Sequence, residues 1–287
     1  PDLKALCAAE DATHTMHNLY TLRGAKMRDA KAWAHYLNQT MEMFGEKAEV
    51  VFAQHHWPIW GKDRVVDFLE KQRDLYKYMH DQSLYLANQG YTMLEIGEMI
   101  KLPKELSQEW YNRGYYGTLN HNAKSVYCFY LGWFDGNPST LHQLPPLETG
   151  QKMVEYMGGA EAILEKAQRD YDQGNYRWAA QVLNHLVFAE PSNQKAKDFL
   201  ANILEQLGYQ SENGPWRNFY LTGAQELRNG MQKNTLVPGV SPDIIKAMPT
   251  ESLFDYLSIQ LNGPRAADKQ IAIYFELPDL KEKLNLK

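Results

Sequence analysis

The chain has 287 residues, of which 44% are hydrophobic and 23% charged, a globular composition that excludes disordered, collagen-like and disulfide-scaffold proteins. The net charge of -5 argues against nucleic-acid binding, since neutralising phosphates requires a basic face. No apolar run approaches the roughly 20 residues that cross a bilayer, and two cysteines, Cys7 and Cys128, are too few for a disulfide framework. At roughly 150 residues per domain, the length suggests about two domains.

Both ends of the chain suggest an incomplete protein. Pro1 is preceded by neither a methionine nor a signal-peptide pattern, so we expect a processed chain or a fragment. The strand-like run at 270–277 is followed by only ten residues. It has no evident partner in the sequence, and a lone strand is not stable.

The first sixty residues have a mixed α/β pattern. Apolar residues spaced three and four apart predict an amphipathic helix over 30–44, ended by Gly45. The residues at 50–53 predict a short buried strand, and His-His-Trp-Pro at 55–58 follows it directly. Because α/β folds place chemistry in loops at strand ends, this loop is the first candidate site.

From Lys62 onward the hydrophobic period is helical. We expect Asp63 to cap a helix that runs to about Asn88. Thr92 and Glu95 form a capping-box pattern that opens another short helix. The next predicted segments are helices over 105–113 and 118–131, a turn at 135–138, and a loop or linker at 143–149.

Residues 160–208 have the spacing of helical hairpins. A first helix is expected to end at Asp172, a second to contain Ala179 and Ala180, and a third to begin near Gln194. This spacing matches tetratricopeptide-like units. A plain helical bundle explains the same pattern, since stacked antiparallel helices share their packing. The remaining predicted segments are a helix over 214–230, a turn at 238–242, a helix over 250–261 and a strand around 271–275.

Two groups of polar residues are candidates for chemistry: Glu10, Asp11, His14, His17, Asn18 and Arg23, and then His55 and His56. On a helix, Glu10, His14 and His17 would share a face able to bind zinc or relay protons. The spacing matches neither a helical zinc motif nor a paired Cys-x-x-Cys, and the sequence has no phosphate loop or nucleophile elbow. Packed or solvated histidines, and a surface role for Arg23, are the structural alternatives.

The segment 6–25, which reads LCAAEDATHTMHNLYTLRGA, resembles the alkyl sulfatases of the metallo-β-lactamase superfamily, as do His-His-Trp-Pro at 55–58 and Trp-Gly at 60–61. The run LGWFDGNP at 131–138 is similar to a signature of their dimerisation domain. The resemblance covers essentially the whole chain. It implies a hydrolase with two zinc ions that converts alkyl sulfates such as dodecyl sulfate to alcohol and sulfate.

The resemblance also implies roles for particular residues. Glu10 would be the carboxylate that bridges the two metals, and His55 a ligand of one zinc. His17 would be the acid near the leaving oxygen, while Asn18 and Arg23 would bind the sulfate oxygens. Zinc ions polarise an ester or supply hydroxide, and arginine complements an anionic leaving group.

Tyr116 is the remaining candidate substrate-binding residue, and the chain departs from the family pattern here, because related sequences can carry a histidine at this position. The family's principal metal motif, His-x-His-x-Asp-His, does not occur in the chain, and the other carboxylate ligand is also missing. The remaining zinc ligands would therefore lie upstream. We expect a C-terminal portion of an alkyl sulfatase that is active only with the missing N-terminal half.

The expected fold is multi-domain and mainly α, in three parts. Residues 1–66 would be the C-terminal part of a metallo-β-lactamase-like αββα layer, and 67–213 a helical dimerisation domain with tetratricopeptide-like hairpins. Residues 214–287 would be an incomplete sterol-carrier-like (SCP2-like) α+β domain, whose apolar groove takes the alkyl chain. The helical domain predicts a homodimer, and relatives are often periplasmic or secreted.

Two other functions stay open. The first is a non-catalytic helical scaffold, which the large helical share of the chain favours. The motif pattern that includes Glu10, Asn18, Arg23 and His55 argues against it. A metallo-hydrolase of another ester, such as a phosphodiester or a lactam, is the second alternative. Asn18 and Arg23 suit any tetrahedral oxyanion, so the residues alone do not separate sulfate from phosphate.

Overall fold

The computed structural model describes residues 3–231 and 241–286, and the chain divides after Met231 into two compact units. The mainly helical fold expected from the sequence is confirmed. Within the described residues, no helix is long and apolar enough to cross a membrane.

The first unit combines a small sheet with a succession of helices. Its strands are β1 (Ala5–Ala9), β2 (Val50–Ala53) and β3 (Ile59–Trp60). Its helices are α1 (Ala30–Thr40), α2 (Lys62–Asn88), α3 (Met93–Met99), α4 (Lys104–Ser107), α5 (Leu119–Leu131), α6 (Pro146–Tyr156), α7 (Ala160–Asp172), α8 (Tyr176–Ala189), α9 (Gln194–Gln210) and α10 (Gly214–Asn229). The second unit contains α11 (Pro242–Ala247), α12 (Thr250–Ile259), α13 (Gly263–Ala266), β4 (Ile273–Leu277) and β5 (Glu282–Leu286).

The sheet of the first unit has the order β1-β2-β3. Strand β1 pairs in parallel with β2, which pairs antiparallel with β3. The sequence pattern predicted β2 but not β1. Asp29 is the N-cap of helix α1, and its carboxylate accepts from the backbone N–H groups of Lys31 and Ala32. The helix packs on α2, where the rings of Trp33 and Tyr76 stack 4.6 Å apart.

Residues 10–29 connect β1 to α1 without forming a helix. The expectation that Glu10, His14 and His17 share a helical face is therefore wrong. Much of this segment is buried, and some of its backbone hydrogen bonds go to distant parts of the chain: the N–H of Met16 donates to the carbonyl of Arg113 (3.0 Å), and the N–H of Gly117 donates to the carbonyl of Met16 (2.7 Å). Tertiary partners thus replace the bonds of a helix.

Most expected helix boundaries agree with the structure. The capping box before α3 is confirmed, because the N–H of Thr92 donates to the Glu95 carboxylate. Gly61 rather than Asp63 occupies the N-cap of α2. The helix expected over 105–113 is α4 followed by a separate 3₁₀ turn, Trp110–Asn112. The expected linker at 143–149 contains the start of α6, where Pro146 occupies a position that needs no N–H.

The helices expected between 160 and 208 are α7, α8 and α9. Their shared core is made of aliphatic residues and of alanines with no exposed surface, Ala167, Ala179 and Ala196. Helix α10 packs along α9 within the first unit. The likeness to tetratricopeptide hairpins and the three-domain division at 66 and 213 stay predictions.

In the second unit, β4 pairs antiparallel with β5 from Ile273↔Leu286 to Leu277↔Glu282. The expectation that the run at 270–277 lacks a partner is therefore wrong. Two lysines and a glutamate in 281–283 hide the strand pattern of β5. Helix α12 covers this hairpin through an edge-to-face contact between Phe254 and Phe275 at 4.9 Å.

Candidate active site

Parallel pairing of β1 and β2 brings the two proposed metal ligands together. Glu10 follows the last residue of β1, and His55 lies two residues beyond the end of β2. Since both strands point the same way, these residues leave the sheet at one edge. His55 Nε2 lies 3.5 Å from Glu10 Oε1, and both side chains are about half exposed.

The spacing of this pair fits two donors to one metal ion. At 3.5 Å it is longer than an ordinary hydrogen bond. It is close to the ~3.3 Å that separates two ligands of a tetrahedral zinc with bonds of about 2.0–2.1 Å. The described residues hold no group of three or more His, Cys, Asp or Glu side chains placed to bind an ion. The pair therefore fits part of a metal site and needs further donors.

Gln54 orients the Glu10 carboxylate. With its amide nitrogen turned toward Glu10, that nitrogen lies 3.0 Å from Oε1 and 3.2 Å from Oε2. A donor shared by both oxygens fixes the plane of the carboxylate, which is the usual role of a residue behind a metal ligand. The sequence carried no signal for Gln54 apart from its place before His55.

His17 is buried beside this pair. Its Nδ1–H donates to the backbone carbonyl of Asn18 at 2.9 Å, which leaves Nε2 as the nitrogen that can exchange a proton with a ligand. Burial lowers the pKa of His17; the hydrogen bond to Asn18 and the charge of Glu10 act in the opposite direction, whereas Arg28 and His55 lower it further. Glu10, His17 and His55 thus act on one another electrostatically.

Asn18 is buried and held by Arg28, a residue that sequence reasoning missed. Arg28 Nη1 donates to both the backbone carbonyl and the Oδ1 of Asn18, each at 3.0 Å. Because Oδ1 faces Arg28, the amide Nδ2 is directed away from it and can donate to an anion. An arginine ten residues away in an irregular segment has no periodicity that would have identified it.

Arg23 and Tyr116 line one cavity of about 480 Å³, together with Tyr115 and residues from the start of α10. The Tyr116 ring also contacts the His17 ring edge-on, with 5.0 Å between centroids. Tyr116 therefore connects the exposed Arg23 to the buried His17. The structure brings all the candidate substrate-binding residues to one region of the first unit.

His14 is a core residue and not part of this cluster. Its ring stacks between Phe68 (4.9 Å) and Trp110 (5.0 Å). Burial lowers the pKa of His14 to about 4, and His56 acts in the same direction. A neutral ring sandwiched between two aromatic side chains serves packing, as the packed-histidine alternative proposed.

Two family models match this chain. The model described as alkyl sulfatase dimerisation matches residues 92–230, and that described as alkyl sulfatase C-terminal matches residues 238–287. The chain therefore belongs to the alkyl sulfatase family, as the resemblance predicted.

Among the curated relatives, the chain is 56% identical over 283 residues to a linear primary-alkylsulfatase of Pseudomonas sp, covering 99% of this chain and 42% of that protein. It is 50% identical over 271 residues to an alkyl/aryl-sulfatase of Saccharomyces cerevisiae, covering 94% of this chain and 42% of the relative. The solved structure of a stereoselective inverting sec-alkylsulfatase from Pseudomonas sp. superposes with a TM-score of 0.96 at 44% identity, covering 99% of this chain and 45% of that one. The chain thus spans less than half the length of these relatives.

Proposed function

We propose that this chain takes part in the hydrolysis of alkyl sulfate esters, such as dodecyl sulfate, to alcohol and inorganic sulfate. The proposal rests on the Glu10–His55 pair, which lies at the ends of two parallel strands and influences the buried His17. The names of the relatives, which are alkylsulfatases, favour sulfate over other tetrahedral esters. A purely structural scaffold would not require these groups to converge.

In this proposal, Glu10 and His55 would be two of the residues that hold the zinc ions. The remaining ligands come from a part of the protein upstream of this chain. When bound, the zinc ions polarise the ester and generate a nucleophile from water at neutral pH. Gln54 holds Glu10 in the orientation that the pair requires.

The residues of this chain then protonate the leaving oxygen and bind the sulfate group. His17 gives a proton from Nε2 to the leaving oxygen, and the negative charge of a bound sulfate raises the pKa of the ring toward the range in which Nε2 is protonated. Asn18 donates from Nδ2 to a sulfate oxygen, while Arg28 keeps its amide oriented. Arg23, beside Tyr116, binds the anionic oxygens through its guanidinium.

The alkyl part of the substrate requires an apolar surface. The second unit has a cavity of about 960 Å³ lined mainly by apolar side chains of α12, of β4 and of the segment that connects them. We assign this cavity to the alkyl chain and the second unit to a sterol-carrier-like domain. The strands β1–β3 are assigned to a metallo-β-lactamase-like layer.

The match to a dimerisation model supports a homodimer. Within the matched region, the C-terminal end of α5 and the residues directly after it expose four large apolar side chains: Phe129, Tyr130, Leu131 and Trp133. Contiguous exposed apolar side chains of this kind mark protein interfaces. We propose that this surface, the α5 aromatic surface, contacts a second copy of the chain.

The experiment that tests the function compares this chain alone with a chimera in which the N-terminal part of the 56%-identical Pseudomonas relative precedes it. We expect about two zinc ions per chain and sulfate release from dodecyl sulfate in the chimera only. Glu10→Gln and His55→Ala should each lower both quantities. Glu42→Gln and His35→Ala, exposed residues near α1, are the matched controls. If neither sample binds zinc or releases sulfate, the scaffold function replaces this proposal.

A further inference from the structure

The backbone on both sides of Asn18 is held by one buried side chain of helix α5. Asn122 has no exposed surface. Its Oδ1 accepts from the N–H of Leu19 at 2.9 Å, and its Nδ2 donates to the carbonyl of His17, also at 2.9 Å. Because both ends of the amide are engaged, its orientation is defined.

A side-chain amide suits this place for a physical reason. Residues 10–29 form no helix, so their buried N–H and C=O groups must find partners elsewhere. An amide carries a donor and an acceptor in one plane and thus imitates a neighbouring peptide group. A leucine of similar volume at 122 would leave the N–H of Leu19 and the carbonyl of His17 buried without these partners.

The same contact reaches the ring of His17 through a single peptide group. The carbonyl of Asn18 and the N–H of Leu19 belong to one planar unit. Its N–H side donates to Asn122, while its carbonyl side accepts from His17 Nδ1 at 2.9 Å. If this peptide rotates, the carbonyl that keeps the proton on Nδ1 moves with it. Arg28 Nη1 also donates to the Asn18 carbonyl at 3.0 Å, so the orientation and tautomer of His17 depend on Asn122 from the N–H side of this peptide and on Arg28 from its carbonyl side.

We propose that Asn122 is a positioning residue. From the region matched by the dimerisation model, it fixes the Asn18–Leu19 peptide and through it the Nδ1–H tautomer of His17. The catalytic consequence rests on the function proposed above; the structural consequence does not. Tyr76, whose hydroxyl accepts from the N–H of His17 at 3.0 Å, holds the same segment from α2 but does not contact the Asn18–Leu19 peptide through any hydrogen bond among the described residues.

The first test uses this chain and needs no activity. Asn122→Leu should raise the hydrogen-exchange rate of the Leu19 amide at least about tenfold and convert the His17 ring from a single Nδ1–H form to a mixture of tautomers, read from its ¹⁵N shifts. Gln72→Leu is the matched control, because Gln72 is equally buried and its amide donates to Tyr111 and Asn112, not to this segment. It should leave both signals unchanged.

Asn122→Asp is the second variant and keeps the test decisive if the leucine variant does not fold. It retains an acceptor for Leu19 but presents a second oxygen to the carbonyl of His17. We expect Leu19 protection close to that of the parent and a displaced His17 backbone signal. A folded variant at 122 with parental Leu19 exchange and parental His17 shifts would overturn the proposal.

The catalytic arm uses the chimera described above. Asn122→Leu should lower kcat by about tenfold to a hundredfold at unchanged zinc content, with a smaller change in KM. Full kcat alongside altered His17 shifts would refute the catalytic part alone. If the parent chimera itself releases no sulfate, the proposed function fails while the spectroscopic result still decides the role of Asn122.

Discussion

Adding one methyl group at Gly117, in the segment before α5, tests whether this segment sets the position of the candidate active site. A Cβ at Gly117 would lie 2.5 Å from the carbonyl oxygen of His17, 2.7 Å from its carbonyl carbon and 2.9 Å from the nitrogen of Asn18. All three atoms are backbone, so no side chain can rotate away.

The required displacement is large on the scale of catalysis. Ordinary van der Waals contact begins near 3.4 Å, so the His17–Asn18 backbone must retreat by about 0.9 Å, and a misplacement of about 1 Å can cost ~10²-fold in rate. The 2.7 Å hydrogen bond between the N–H of Gly117 and the carbonyl of Met16 resists that retreat. Over-packing of this kind also costs about 1–3 kcal/mol of stability.

The assay is sulfate release by the chimera together with thermal unfolding of the same sample. Gly117→Ala should lose both stability and most of its turnover. Gly150→Ala is the matched clash, since its Cβ would lie 2.7 Å from the carbonyl oxygen of His185, between α6 and α8; it should lose stability while turnover stays. Gly45→Ala meets its nearest atom at 3.5 Å and should change neither. Full turnover in Gly117→Ala, or an equal loss in Gly150→Ala, would refute the reasoning.

The remaining predictions concern pH and assembly. His121 is buried. Its Nε2–H donates to the carbonyl of Tyr20 at 2.7 Å, and its Nδ1 accepts from the indole of Trp216 at 3.4 Å. Burial lowers the pKa of His121 below its ordinary 6.5. As the pH falls, His121 is therefore protonated in the unfolded chain before it is protonated in the folded one. The contribution of neutral His121 to stability is present above pH 6.5 and should decline below it. Urea unfolding between pH 7.5 and 5.5 should show a smaller decline in His121→Gln than in the parent, with exposed His35→Gln as control; identical slopes would contradict this. For assembly, Trp133→Ala on the α5 aromatic surface should raise the dimer dissociation constant at least about tenfold in analytical ultracentrifugation. Trp57→Ala is the control, because Trp57 is equally exposed but lies outside the matched region, and it should leave the constant unchanged. An unchanged dimer in Trp133→Ala would exclude this surface.

Local patterns in the sequence were sufficient for most helices and for the strands β2 and β4. Strand β2 and the capping box of Thr92 and Glu95 were predicted because their signals lie within a few residues of each other. The family was also predicted, from motifs such as the segment at 6–25. Strand β5 was missed because its charged residues carry no strand pattern, although the chain reverses at 278–281 to place it beside β4.

The candidate active site depends on contacts between distant residues, which local patterns do not predict. Glu10 and His55 are 45 positions apart, and only the parallel pairing of β1 with β2 brings them within 3.5 Å. Periodicity placed Glu10 and His17 on a helix, whereas tertiary hydrogen bonds hold that segment in an irregular path. Arg28 and Asn122, which hold its backbone, are ordinary residues in the sequence.

The sequence by itself thus determined which chemical groups are present and where most helices begin and end, since these depend on neighbouring residues. The tertiary structure decided how those groups meet. A buried irregular segment takes its shape from the partners that satisfy its backbone N–H and C=O groups, and here those partners include the side chain of Asn122, more than a hundred residues away along the chain.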